Sequence, residues 1–237
     1  MMHKPTATMP MTTIKKQVGF TLVELMIALI LGLVIIAAVL NIYVGSSRSS
    51  LYTTGLQTMQ ENGRYGVSVL RRGIQLAGYS PESRIDAIEV AESGEDFITV
   101  RLQRDFDCNG LDTASAPTPG VAVNTYAFNE ADNTITCEGD QVGATPMPIV
   151  EGVEEFRVLY GLDTDGDNIP EQFASYDANM EGDEVAAVRF ALLVHSGKEI
   201  RSEPVAEEYV VLDSVVPTSD RFVRSVFGST VILRNRL

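Results

Sequence analysis

The 237-residue chain has no tryptophan, only two cysteines (Cys108 and Cys137) and only two histidines (His3 and His195). A Cys- or His-rich metal centre and a disulfide-dense scaffold are excluded, and any Ser-His-Asp device would have to use His3 or His195. Positive charge is also scarce. Lys and Arg total 18 against 32 Asp and Glu, a net charge of −14. A chain this acidic lacks the electrostatic footprint of direct nucleic-acid binding. It contains no Walker loop, no Gly-rich dinucleotide fingerprint, no G-x-S-x-G and no H-E-x-x-H. No internal repeat is visible, and the chain is not expected to be an enzyme.

Charge is missing altogether from one segment. Residues 25–45 contain no charged side chain, and the 16 residues Leu25–Leu40 are all apolar or Gly. A hydrocarbon core of roughly 30 Å takes about 20 such residues as a helix. The run is too long for the apolar core of a cleaved secretory signal, and no A-x-A site follows it. Lys4, Lys15 and Lys16 precede it with no acid before Glu24. Flanking positive charge stays inside, so the N-terminus is expected in the cytoplasm and everything after Gly45 outside it. Arg48 alone does not outweigh two adjacent lysines. An exported domain can hold a disulfide, for which Cys108 and Cys137 are the only candidates, the alternative being two free, partly buried thiols.

Glu24 interrupts this pattern. A carboxylate costs about 2.5–3.5 kcal/mol at the centre of a span and less near an edge. It either reaches headgroup water or finds a positive partner inside a helix bundle. The surrounding run, Lys15-Lys16-Gln17-Val18-Gly19-Phe20-Thr21-Leu22-Val23-Glu24-Leu25-Met26, resembles the class III signal of type IV prepilins. The resemblance implies cleavage by a prepilin peptidase between Gly19 and Phe20, N-methylation of Phe20, and pairing of Glu24 with the N-terminal amine of a neighbouring subunit. A buried charge whose partner comes in trans favours registered assembly over loose packing. Nineteen residues make a long leader, and Met11 as the true start would shorten it.

Beyond the span, Tyr52, Leu56, Met59, Gly63, Val67, Leu70, Ile74 and Ala77 recur at spacings of three and four, one face of an amphipathic helix. Gly78 before Tyr79-Ser80-Pro81 is a stop signal. A helix from Phe20 to Gly78 would measure about 90 Å at roughly 1.5 Å per residue, with Gly45-Ser46-Ser47 as a bend. After Pro81 the pattern changes to strands: Asp86–Val90, Phe97–Leu102, Asn124–Phe128, Thr134–Cys137, Val153–Tyr160, Val185–Val194, Tyr209–Leu212 and Ser229–Arg234. Residues 130–133 turn a hairpin, and 108–120 form a surface loop. The fold class is therefore α+β, a long N-terminal helix packed on a mainly antiparallel sheet, with neither element able to bury its face alone. The expected division is a leader at 1–19, a membrane or filament-core helix at 20–45, an amphipathic helix at 46–78 and an exported β-rich domain at 79–237.

One loop has ligand-like spacing. Asp163, Asp165 and Asp167 alternate, followed by the Ile169 carbonyl and Glu171, as at the start of an EF-hand loop that wraps Ca2+ in oxygen ligands. Position 6 is Asn168 instead of Gly, and position 12 is Ala174, so the bidentate Glu is missing. The alternative is an acidic turn that uses Asp and Gly for their turn geometry.

The segments 61–79 and 223–235 are similar to those of PilW-type minor pilins, and this architecture is that of pilins. The resemblance implies a minor pilin that passes through the bacterial inner membrane once, with its globular domain in the periplasm. It would then prime a type IV pilus, at its tip, with twitching, adhesion and DNA uptake downstream. The implied partners are prepilin peptidase, other minor pilins, the major pilin and the inner-membrane assembly platform. Two rivals remain: a minor pseudopilin J of type II secretion, and a calcium-dependent adhesin anchored by one helix.

Overall fold

The computed structural model describes residues 19–81 and 84–236. His3, Lys4, Met11, Lys15 and Lys16 lie outside the described residues, as does all of the expected leader except Gly19. The chain divides at Ser47/Arg48 into two compact units.

Helix α1 runs Leu22–Gln75, and Gly45, Ser46 and Ser47 are helical within it. Its first part, to Ser47, belongs to the N-terminal unit and is exposed almost throughout, Leu22 being 74% exposed. Its second part belongs to the other unit and buries Gly55, Met59, Gly63, Gly66, Leu70 and Ile74. The face differs from the expected one at its start, because Tyr52 is 43% exposed. Glycines, rather than larger apolar residues, set the contact. A Cβ on Gly63 would lie 2.4 Å from the Phe227 ring, and one on Gly66 would lie 2.8 Å from Leu192 Cδ1. The helix backbone therefore lies directly against side chains of the sheets. Gly78, at φ 78°, ends the helix in the left-handed region that a Cβ disfavours. Asn235 Nδ2 donates to the Gln75 and Ala77 carbonyls, so the C-terminus of the chain satisfies the exposed end of the helix.

The rest of the second unit is antiparallel sheet. Strands β1 (Phe97–Gln103), β2 (Val121–Asn129), β3 (Thr134–Gly139) and β4 (Met147–Glu151) form one sheet in that order. Strands β5 (Val153–Leu162), β6 (Gln172–Ala174), β7 (Val185–His195) and β10 (Arg224–Ile232) form a second, ordered β10-β7-β5-β6. Gly152, at φ 74°, makes the one-residue step between the sheets. Strands β8 (Val205–Val211) and β9 (Ser214–Asp220) pair as a hairpin. Its Val211, with Tyr209, Leu212 and Val216, packs on Ala191 and Leu193 of β7. The main core gathers Leu70 and Ile74 of α1 with Phe156, Tyr160, Phe190 and Leu192, all fully buried. Each such side chain contributes about 1.5–3 kcal/mol. The Tyr160 hydroxyl donates to the Gly94 carbonyl at 2.9 Å, so its burial leaves no orphaned donor.

Three expected strand features differ. Residues 86–90 form no strand: Ile88 makes a single bridge to Val100, and the backbone then turns into a 3-10 helix at Val90–Glu92. The final strand starts at Arg224, five residues earlier than expected. Strands β4, β6 and β9 had no counterpart in the sequence reading. Each lies at the end of its sheet or in the hairpin, and β4 and β9 carry Pro148 and Pro217, which edge positions tolerate and central ones do not.

Candidate functional site

The residues singled out in the sequence fall in three separate places. Gly19, Phe20 and Glu24 stand at the head of α1. Thr21 is its N-cap, and its Oγ1 accepts a hydrogen bond from the Glu24 backbone N–H at 3.2 Å. Thr21-x-x-Glu24 is the pattern of a capping box, a signal that the reading of the span had missed. The carboxylate of Glu24 therefore lies in the first helical turn, where the partial positive charge of the unpaired N–H groups favours an anion. Ahead of it, Gly19 and Phe20 are exposed and outside the helix, and among the described residues beyond its chain neighbours none comes within 4 Å of where a Gly19 Cβ would be.

Behind Glu24 the surface is apolar on every side. Leu25, Ile30, Leu33, Ile36, Leu40 and Tyr43 are each more than half exposed. A helix that is hydrophobic all round requires lipid or other helices as its surroundings.

The second place is the loop before β2. Cys108 and Cys137 form a disulfide, with a Cα–Cα distance of 6.3 Å. Cys137 is on β3 and buried, and Cys108 is partly buried against the core. The loop is held further by Asn109, whose Oδ1 accepts from Gly139 N–H at 2.6 Å and whose Nδ2 donates to the Thr145 carbonyl at 2.8 Å.

The third place is the acidic loop after β5. Carboxylate oxygens of Asp163, Asp165, Asp167 and Glu171 lie within 4.8 Å of one another. Asp163 is buried and the other three are exposed. Asn168 takes φ 69°, the left-handed conformation that position 6 of such a loop demands. The loop also satisfies itself. Asp163 accepts from the Gly166 and Asn168 N–H groups at 2.7 and 2.9 Å, and Glu171 accepts from Thr164 N–H at 2.8 Å. The Ile169 side chain is exposed, and its N–H donates to Asp167 at 2.8 Å. Arg236 bonds Asp163 through Nη2 and the Asp183 carbonyl through Nη1, tying the end of the chain to the loop. Burial acts to raise the Asp163 carboxyl, but the Gly166 and Asn168 amides and the Arg236 guanidinium together hold it below the usual carboxylate range. Arg236 was not singled out in the sequence, since nothing local links it to a loop some 70 residues earlier.

Comparison with known proteins bears on both ends of the chain. The model of the prokaryotic N-terminal methylation motif matches residues 14–40. The model of type IV pilus-assembly protein W matches residues 121–235. No curated protein matches the chain. Among solved structures, a type IV-like pilin from Thermus thermophilus is similar at 16% identity and a TM-score of 0.44, covering 74% of this chain and 96% of that one. The methylation motif over the head of its apolar helix and the pilus-assembly model over much of its sheets together support a type IV minor pilin of the PilW family with a role in pilus assembly.

Proposed function

We propose that this minor pilin is cut by prepilin peptidase between Gly19 and Phe20, methylated on Phe20, and drawn into the nascent pilus by pairing of Glu24 with a neighbour's N-terminal amine. The observation that carries this is the placement of one carboxylate, Glu24, just beyond the expected cut and in the first turn of a helix whose first part is exposed and apolar on all sides. An α-amine has a pKa of about 7.7–8.0 and is cationic at neutral pH, so each processed subunit supplies the charge the next one needs. Removing one partner of a buried pair costs roughly 3–5 kcal/mol, against a small effect for an exposed one. Segment 20–45 spans the inner membrane with its N-terminus inside, 46–78 carries the amphipathic face, and 79–237 is periplasmic until the subunit enters the pilus, where it sits at the tip. Its partners there are other minor pilins, the major pilin and the assembly platform. It performs no catalysis.

Glu24→Ala tests this in cells lacking the wild-type chain. The account expects normal processing and membrane level with pilus number falling toward that of the deletion strain. Normal piliation in Glu24→Ala would remove the pairing, and normal piliation in the deletion strain would remove the assembly role itself.

The clustered oxygens of the acidic loop support a second reading, weak Ca2+ binding by Asp163, Asp165, Asp167, Glu171 and the Ile169 carbonyl. Arg236 already neutralises Asp163, so an ion would share that carboxylate with it. Millimolar Ca2+ should raise the melting temperature of wild type and leave Asp165→Asn unchanged. Equal curves with and without Ca2+ would identify the loop as a self-satisfied turn.

A further inference from the structure

Among the described residues, strand β10 ends its sheet and pairs only with β7. The Ser196 N–H donates to the Val223 carbonyl and the Leu233 N–H to the Ala186 carbonyl. By the alternation of an antiparallel pair, the odd-numbered residues of β10 therefore bond β7, and the backbone N–H and C=O of Val226, Gly228, Thr230 and Ile232 point away from it. Among the described residues nothing bonds those outward groups. The same four residues are exposed. From Ser225 to Leu233 the strand carries no charge and no proline, the devices that ordinarily protect an edge. At its far end, Arg71, Gln75, Thr230, Ile232 and Arg234 line a cavity of about 180 Å³. Neither Arg71 nor Arg234 forms an ion pair with a described residue.

The direction of β10 limits what can pair with it. Gly55 lies against Ile200 and the Ser196 carbonyl near the start of β10, Gly63 lies against Phe227, and Asn235 caps the helix at Gln75 and Ala77. The strand thus runs alongside the second part of α1 in the same direction. The charge-free run ends at Gly45, so the Arg48 end of this unit is the end tethered to the membrane in every anchored copy. Antiparallel pairing of β10 with a second copy would turn one Arg48 end away from the membrane. In-register parallel pairing with a second copy would set Arg234 beside its counterpart, with like charges adjacent.

We propose that the open edge of β10 is a docking site for an extended, uncharged strand of a different pilin subunit, with a carboxylate beside that strand seated between Arg71 and Arg234. The inference rests on the assembly role argued above and names the surface that serves it. The partner's main chain would supply the hydrogen bonds that β10 leaves unmade, and the two guanidinium groups would fix its register.

The test uses the full chain in its own cells, with a photo-cross-linking amino acid at Ile232. Thr230→Pro removes an outward N–H while sparing every backbone bond to β7, losing only the Arg189 Nε–H bond to the Thr230 hydroxyl, and Val226→Lys places a charge on the edge. Arg234→Glu reverses the charge at the carboxylate seat. The expected result is one adduct with another subunit processed at a prepilin signal. The cross-linked peptide should be uncharged and flanked by Asp, Glu or a C-terminal carboxylate. Each variant should lower its yield at least tenfold while resistance to proteolysis stays at the wild-type level. Three results would overturn the proposal: an adduct with a second copy of this chain, no adduct, or an adduct that persists in Thr230→Pro. Pilus counts in the deletion strain are read in parallel. Absence of an adduct with pili dependent on the chain defeats only the edge, whereas pili independent of the chain defeat the assembly role.

Discussion

Reducing the Cys108–Cys137 bond should lower the melting temperature of the C-terminal unit by about 9 °C. The two cysteines are 29 positions apart, and closing a loop of that length in the unfolded chain is worth about 3.6 kcal/mol at 25 °C in the chain-entropy model. The unit spans Arg48–Leu237, and at roughly 2.1 cal/mol/K per residue its unfolding entropy is about 0.4 kcal/mol/K. The quotient gives the shift. Hydrogen bonds from Asn109 to Gly139 and Thr145 hold the same loop in the folded state. They constrain nothing once the chain unfolds, so they do not replace the bond's effect. The assay is thermal unfolding of the full chain in detergent micelles with and without reductant, with a Cys108→Ala/Cys137→Ala double variant as a cross-check. A shift under about 3 °C would refute the reasoning, meaning that the unfolded chain already keeps this loop closed.

Two further outcomes follow from particular contacts. Gly66→Ala should destabilise: the substitution gains about 1 kcal/mol of helix propensity, but its Cβ meets fully buried Leu192 at 2.8 Å, and overpacking of a core costs typically 1–3 kcal/mol. A raised melting temperature would show that Leu192 can move aside. Burial pushes the His195 imidazole below its ordinary pKa; Arg224 adds to this, and Glu154 and Asp220 oppose it. The unfolded chain then binds more protons than the folded one as pH falls below about 6.5, so His195 makes stability drop with falling pH there. The difference in melting temperature between pH 7.5 and 5.5 should shrink in His195→Gln; an unchanged difference would remove His195 as its source.

The parts of this chain that were legible in sequence are those whose signal is local. The charge-free run, the Gly-Phe pair and Glu24 lie within a few turns of one another, and the two cysteines had only each other to pair with. The alternating strands β1, β5 and β7 bury one or both faces and so carry strong apolar patterns. The helix face was placed less well because half of its contact is made by glycines, which have no hydropathy to contribute: Gly55 and Gly66 are buried, and Tyr52 is not. Strands β4 and β9 were invisible because edge positions accept proline and polar residues. Arg236 on Asp163 and Asn235 on the end of α1 were beyond reach for a different reason. They join residues about 70 and 160 positions apart, and only the folded sheets bring them together.

On this reading the chain is made to be cut and built into a filament. Mass spectrometry of its N-terminus, from its own cells with and without prepilin peptidase, tests that most directly. The expected result is a chain beginning at N-methylated Phe20 that is replaced by the uncut form when the enzyme is absent. The same uncut N-terminus in both strains would contradict it and leave a single-helix membrane anchor in its place.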